Sequence, residues 1–333
     1  MNRLVHPATA AAGLAMAVWI AGCGKSEKPA SVSSPPRATT SGTASEKGTS
    51  AELVAKQARG DLSCPARVAT TKRADNAPVD DVLGVRPGLS YEEALNAVLC
   101  THDLLVSAPA TGRGFNLKAP DARSVRQGFS AAFAEPHVVK SSRQIMQDMQ
   151  IESLARGGNA VQEDLKPGQA KWFVATMGLP GRERVLSVAR EERFPAEQSP
   201  TIDTVMAALM KKYGTATKAQ PGTSGQMPIV RWAYDPQGRL ITPDSPLFNR
   251  CSGTSDPNGG VNLSPDCGIV VQAMLVPQKT NPVLAERMQV GVVSHGGGYQ
   301  MLVATEQALI QSDQQRQAQE VEKAAKNVKA PTL

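Results

Sequence analysis

The sequence predicts an α+β fold, with helices packed on an antiparallel sheet and room for two subdomains. Three observations predict it. Two stretches, residues 90–100 and 199–214, carry helix-period apolar faces with start and stop signals. Several runs instead carry strand character, as in Val230, Trp232 and Tyr234, which alternate with Arg231, Ala233 and Asp235. The strand runs are rich in Val and Ile and include a hairpin over residues 171–194, turned at Leu179-Pro180-Gly181.

Residues 1–22 read as an export leader. Arg3 supplies a positive start, and Leu4 to Ala21 is apolar and uncharged. As a membrane-spanning helix this run is at the short limit and contains His6 and Pro7. It ends in Ile20-Ala21-Gly22-Cys23, which resembles the bacterial lipobox. The resemblance implies that the Cys23 sulfur takes a diacylglycerol and that the chain is cut before it. Acyl chains anchor because each buried CH₂ contributes about 0.8 kcal/mol. In lipoproteins of this kind Gly24 after the cysteine favours the outer membrane, facing the periplasm. Where the next positions are read instead, Lys25-Ser26 implies retention on the periplasmic side of the inner membrane. Gly22-Cys23-Gly24-Lys25-Ser26 also ends like a phosphate-binding loop, but Trp19 stands where that pattern needs glycine. Residues 23–60, the acylated cysteine and a Ser-, Thr-, Pro- and Lys-rich stretch, are expected to form a disordered tether.

Residues 61–160 read as a mostly helical region. Val82, Leu83 and Val85 suggest a short strand, and Pro87-Gly88 a turn. Ser90 caps a helix and Glu93 completes a capping box; Ala94, Leu95, Val98 and Leu99 form its apolar face. A second helix is expected over 121–134, with Val125, Phe129 and Phe133 on one face. Residues 142–156 are ambiguous, with Ile145, Met149 and Leu154 at roughly helical spacing.

Residues 161–298 read as an antiparallel α+β region. The hairpin sets Trp172-Phe173-Val174 against Val185-Leu186-Ser187-Val188, with Leu179-Pro180-Gly181 at the turn. The helix over 199–214 has Pro200 in its first turn, Ile202, Val205, Leu209 and Met210 on its apolar face, and Gly214 as its stop. Strands follow at 229–235, 268–276 and 287–293, and His295-Gly296-Gly297-Gly298 reads as a glycine turn. The last region, 299–333, is a helix and tail, amphipathic around Met301, Leu302 and Leu309 and polar beyond Gln311.

Composition narrows the function. The net charge of +6 over 333 residues is mild and suits anionic lipid, glycan or protein surfaces of a cell envelope. Nucleic-acid binding is not expected, because such surfaces interleave basic residues with aromatics and only 4% of residues here are aromatic. With Cys23 acylated, four cysteines remain: Cys64, Cys100, Cys251 and Cys267. In an oxidising compartment they suggest two disulfides. Chain order favours Cys64–Cys100 and Cys251–Cys267 among the three connectivities. No close pair suggests a metal site, and no cofactor is expected.

Arg182, Arg184, Arg190 and Arg193 are the candidate contacts for an anion or partner, set against balancing Glu183, Glu191 and Glu192. The glycine run after His295 resembles a lipase oxyanion loop, but no G-x-S-x-G elbow exists to serve it. Asp256-Pro257-Asn258-Gly259-Gly260 offers oxygens but breaks the calcium-loop pattern. The segment "GVRPGLSYEEALNAVL" resembles the start of SmpA/OmlA-type outer-membrane lipoproteins, which, with β-lactamase-inhibitor-like domains, pack helices on an antiparallel sheet. The stretch from "GLPGRERV" to "MAALMKKYG" is similar to exported proteobacterial proteins of uncharacterised function. These resemblances imply an α+β envelope-binding protein and carry over no catalytic residue. The expectation is a non-catalytic binding or assembly module. An envelope hydrolase with dispersed catalytic residues and a periplasmic small-ligand carrier are the alternatives.

Overall fold

A computed structural model describes residues 49–327, except 66–67, 76, 111–114, 121–124, 138–139, 156–164 and 223–226. The expected leader over 1–22 and the lipobox-like Ile20-Ala21-Gly22-Cys23 lie outside the described residues. The strands are β1 (Leu105–Pro109), β2 (Gly128–Phe133), β3 (Ala170–Met177), β4 (Arg184–Arg193), β5 (Lys218–Gln220), β6 (Ile229–Ala233), β7 (Ile269–Pro277) and β8 (Ala285–Ser294). All eight join one sheet in the order β1-β2-β3-β4-β8-β7-β6-β5, and every pairing is antiparallel. The helices are α1 (Ala51–Arg59), α2 (Tyr91–Leu99), α3 (Ser142–Ala155), α4 (Ile202–Tyr213) and α5 (His295–Asn327). The expected α+β class is therefore present.

The strand order shows an internal repeat. A helix followed by a four-stranded meander, α2-β1-β2-β3-β4, is repeated as α4-β5-β6-β7-β8, and β4 joins β8 at the centre. The repeat extends to single residues. Ser90 caps α2 and bridges Arg184 at the start of β4, while Thr201 caps α4 and bridges Leu284 just before β8. The Leu89 carbonyl accepts from Val185 N–H, and the Pro200 carbonyl accepts from Ala285 N–H. Each last strand bulges one residue later, at Leu186 in β4 and Glu286 in β8, where one residue has no partner in the ladder. His102 packs on Phe133 at 4.4 Å, and Tyr213 packs on Trp232 at 5.0 Å in the matching place.

Both α2 and α4 cover one face of the sheet. Ala94 and Val98 from α2, and Val205 and Leu209 from α4, pack with Trp172, Val188, Trp232 and Val292 in a single core. The spacing of these residues gives each helix one apolar stripe, and capping closes its first turn. Truncating a core residue such as Leu209 to Ala costs about 2–5 kcal/mol. On the opposite face, Leu309, Met301 and Leu302 of α5 pack with Phe173, Leu186 and Met177. Further along that face the Cys251–Cys267 disulfide sits with Ala233, Ile241 and Val270. The second bridge is Cys64–Cys100, so the pairing favoured by chain order is the one present.

Several expectations are corrected. Val82 and Val85 do not belong to a strand; they close a tight turn through reciprocal backbone hydrogen bonds of 2.8 and 3.0 Å, with Leu83 and Gly84 at positive φ. The expected helix over 121–134 fails in its described part, because 128–133 is the strand β2. Its residues pair on both sides, with β1 and β3, and this outweighs a helix-like spacing of Val125, Phe129 and Phe133. Gly128 holds φ 128°, and a Cβ there would lie 2.0 Å from the Val174 carbonyl oxygen. The tether expected over 23–60 does not hold for 51–59, which forms α1. Ser50 caps it, Ala55 is buried, and Arg59 donates to the carbonyls of Leu99 and His102 at 2.9 and 2.8 Å. Pro200 precedes the cap of α4 instead of entering its first turn. Residues 142–155 resolve as helix, with 142–151 exposed.

The glycine turn after His295 is the first turn of α5, which starts four residues earlier than expected. A Cβ at Gly296 would stand 3.0 Å from the Cys267 carbonyl oxygen, and one at Gly298 3.0 Å from Leu263. The glycines therefore let the helix enter against the disulfide loop. No described helix is long and apolar enough to cross a membrane.

Candidate functional site

The four candidate arginines do not form one site. Arg182 and Arg184 lie exposed at the β3–β4 turn. Arg190 bonds Glu192 at 2.6 Å and lies over the Trp172 ring at 5.4 Å, on the face that carries α2. Arg193, at the far end of β4, pairs with Glu286 at 3.1 Å and donates to the Leu165 carbonyl at 2.8 Å. Alternation along a strand sends neighbours to opposite faces, so closeness in sequence did not become closeness in space.

Only Arg193 enters a large cavity. It is a half-open groove of about 1200 Å³ at the end of the sheet where β7 turns into β8. Ile202 and Met206 of α4, Met227, Val276 and Val283 supply apolar lining. Arg193, Lys279 and Arg287 bring positive charge to it, and Asp203 and Glu286 negative charge. Arg193 and Arg287 are ladder partners, and Arg287 also bonds buried Glu191 at 3.2 Å. Lys171 reaches the same carboxylate at 3.2 Å from β3.

In the first half of the repeat, residues at positions matching the groove are packed. Leu186 is sealed beneath α5, and Arg126 lies 4.3 Å from the Tyr91 ring centroid while bonding Glu92 and buried Glu183. In the second half the bulge residue is Glu286, and it faces the groove. The arrangement gives an apolar surface bordered by charges of both signs, with Arg193 and Arg287 already paired to Glu286 and Glu191. Among the described lining residues there is no His, Cys, Ser or Tyr, and Glu286 is already neutralised by Arg193.

The other motifs have structural places. His295 is buried, its Nδ1 accepts from Ser264 N–H at 3.3 Å, and its Nε2 lies 2.9 Å from the Ser252 carbonyl oxygen. Burial lowers its pKa from the ordinary 6.5, opposed by the Ser252 contact. The Asp256 loop closes on itself, with Asn258 N–H donating to the Asp256 carboxylate at 2.8 Å. Among the described residues no group of three or more His, Cys, Asp or Glu side chains is placed to hold a metal. The groove is not legible in the sequence, because its lining comes from five separated segments. No known protein family, curated protein or solved structure matches the chain.

Proposed function

We propose that the chain is a lipid-anchored envelope protein that acts as a non-catalytic binding module facing the periplasm. The anchor reading rests on Ile20-Ala21-Gly22-Cys23, and the placement on the same motif, with the outer membrane favoured by Gly24. Two disulfides suit an oxidising compartment. The observation that carries the binding reading is the groove: apolar lining, a charged border that includes Arg193, Lys279 and Arg287, and a half-open form that admits a ligand larger than itself. An enclosed apolar chamber would instead suit a small-ligand carrier, and converging ionisable groups a hydrolase. The ligand proposed is an envelope lipid, glycan or protein segment with an anionic part.

Site-specific photo-crosslinking in living cells tests this. A benzophenone residue at Val283 or Met227, 61% and 45% exposed, should give defined adducts. The same residue at Leu53, 47% exposed and outside the groove, should not. Adducts at Leu53 matching those at Val283 would remove the groove from the reading. Cys23→Ser should abolish palmitate labelling and release the protein from membranes; retained labelling would overturn the anchor.

A further inference from the structure

A second hollow, sharing no residue with the groove, lies where β5, β6 and β7 run side by side. Its volume is about 170 Å³. Lys218, Gln220, Ile229, Arg231 and Gln272 line it, and none is acidic. Arg231 stands opposite Lys218 on one side and Gln272 on the other. It is only 8% exposed. Its Nη2 donates to the Phe248 carbonyl at 2.6 Å, and its buried Nε has no partner. No carboxylate pairs with Arg231 or Lys218 among the described residues, and both cations lie within about 6 Å of the Phe248 ring.

This arrangement is costly as it stands. A guanidinium has been taken from water without a counter-charge, and two like charges sit at directly opposed ladder positions. The fold does not require it. The other half of the repeat puts Ala132 and Val106, themselves ladder partners, at the matching positions of β2 and β1. The residue matching Gln272 there is Lys171, whose charge is met by Glu191. The cations of the second half are therefore an addition to the fold, and they are left uncompensated.

We propose that this hollow binds a phosphoryl group, held by Arg231, Lys218 and the amides of Gln272 and Gln220. A tetrahedral phosphate suits donors that converge from several strands. With Nη2 donating to the Phe248 carbonyl and Nε buried, Arg231 cannot hold an anion by itself, and Lys218 and the two glutamine amides must supply further donors. The phosphoryl group has two sources, free phosphate or a lipid headgroup. The proposal does not depend on the function of the groove.

The test uses the full chain with Cys23→Ser, which removes the acyl acceptor. Calorimetric titration with inorganic phosphate, at ionic strength matched with chloride, should show saturable binding. Lys218→Ala, at an exposed position, should weaken it by about tenfold or more without moving the urea midpoint of the unliganded protein. Arg231→Gln should weaken it further, and if that variant fails to fold, Lys218→Ala decides alone. No saturable binding by the parent, or equal binding by Lys218→Ala, overturns the site. Vesicles of phosphatidylcholine with and without phosphatidylglycerol separate the sources. Recruitment that needs phosphatidylglycerol and Lys218 and is competed by phosphate identifies a headgroup. Phosphate binding without such recruitment identifies the free anion.

Discussion

Replacing Cys251 and Cys267 together by alanine should cost more than replacing Cys64 and Cys100, although the second bridge closes the longer loop. The bridges span 16 and 36 residues. Loop-closure entropy gives about 3.1 kcal/mol for the first and about 3.8 kcal/mol for the second. Burial reverses the order. Cys251 and Cys267 are both fully buried, so removing their sulfurs also opens space among Ala233, Ile241 and Val270. Lost packing adds about 1–2 kcal/mol. The freed loop also carries Ser252 and Ser264, which hold His295 at the start of α5. The total is about 4–5 kcal/mol, a large share of the roughly 5–15 kcal/mol that stabilises a domain. Cys64 is exposed and Cys100 half-buried, so that bridge has no such packing term. Urea unfolding followed by the fluorescence of buried Trp172 and Trp232 reads both variants. The reasoning fails if the Cys251/Cys267 variant loses under about 1 kcal/mol, or less than the Cys64/Cys100 variant.

Three further outcomes follow from local geometry. Gly291→Ala puts a Cβ 2.1 Å from the Thr254 carbonyl oxygen and should cost about 1–3 kcal/mol, whereas Gly260→Ala, in open space, should stay within about 0.5 kcal/mol in the same urea assay. Since the pKa of His295 is depressed in the fold, the unfolded chain takes up a proton first. Its contribution is complete above about pH 6.5 and falls as the pH drops from there towards the folded-state value, so wild type should lose more stability than His295→Asn between pH 7.5 and about 5. Burial raises the pKa of Glu93, but hydrogen bonds from Thr71 and Ser90 outweigh it and hold the carboxyl at about 2. That contribution is present above 4.5 and lost as the pH falls through about 2; acid titration of Glu93→Gln beside wild type should show a shallower loss in the variant.

What could be read from the sequence was what is written locally. Ser90 with Glu93, and the apolar stripe ending at Gly214, specify helices within a dozen residues. The strand β2 was not legible, because its identity comes from β1 and β3 on either side. The repeat left a trace that pattern reading passed over. Ser90, Tyr91, Ala94, Leu95, Val98 and His102 match Thr201, Ile202, Val205, Met206, Leu209 and Tyr213 in spacing. Different loop lengths before the strands obscured it. Arg231 was visible as a polar residue on the outward side of a strand. That this side is covered by the segment carrying Phe248 could not be seen until the chain was folded.

The longest helix contains a boundary of its own. Up to Asp313, α5 has residues buried against the sheet and its loops; the stretch after it is exposed and polar. Pairs such as Arg316–Glu320 and Glu322–Lys326 stabilise that stretch by only a few tenths of a kcal/mol each. The first part therefore melts with the core, while the second follows the helix–coil equilibrium of a free peptide, which relaxes in about a microsecond. Wound, it extends about 20 Å beyond the packed region; unwound, it reaches about 45 Å. One continuous element thus joins a fixed mount to a spring of variable length.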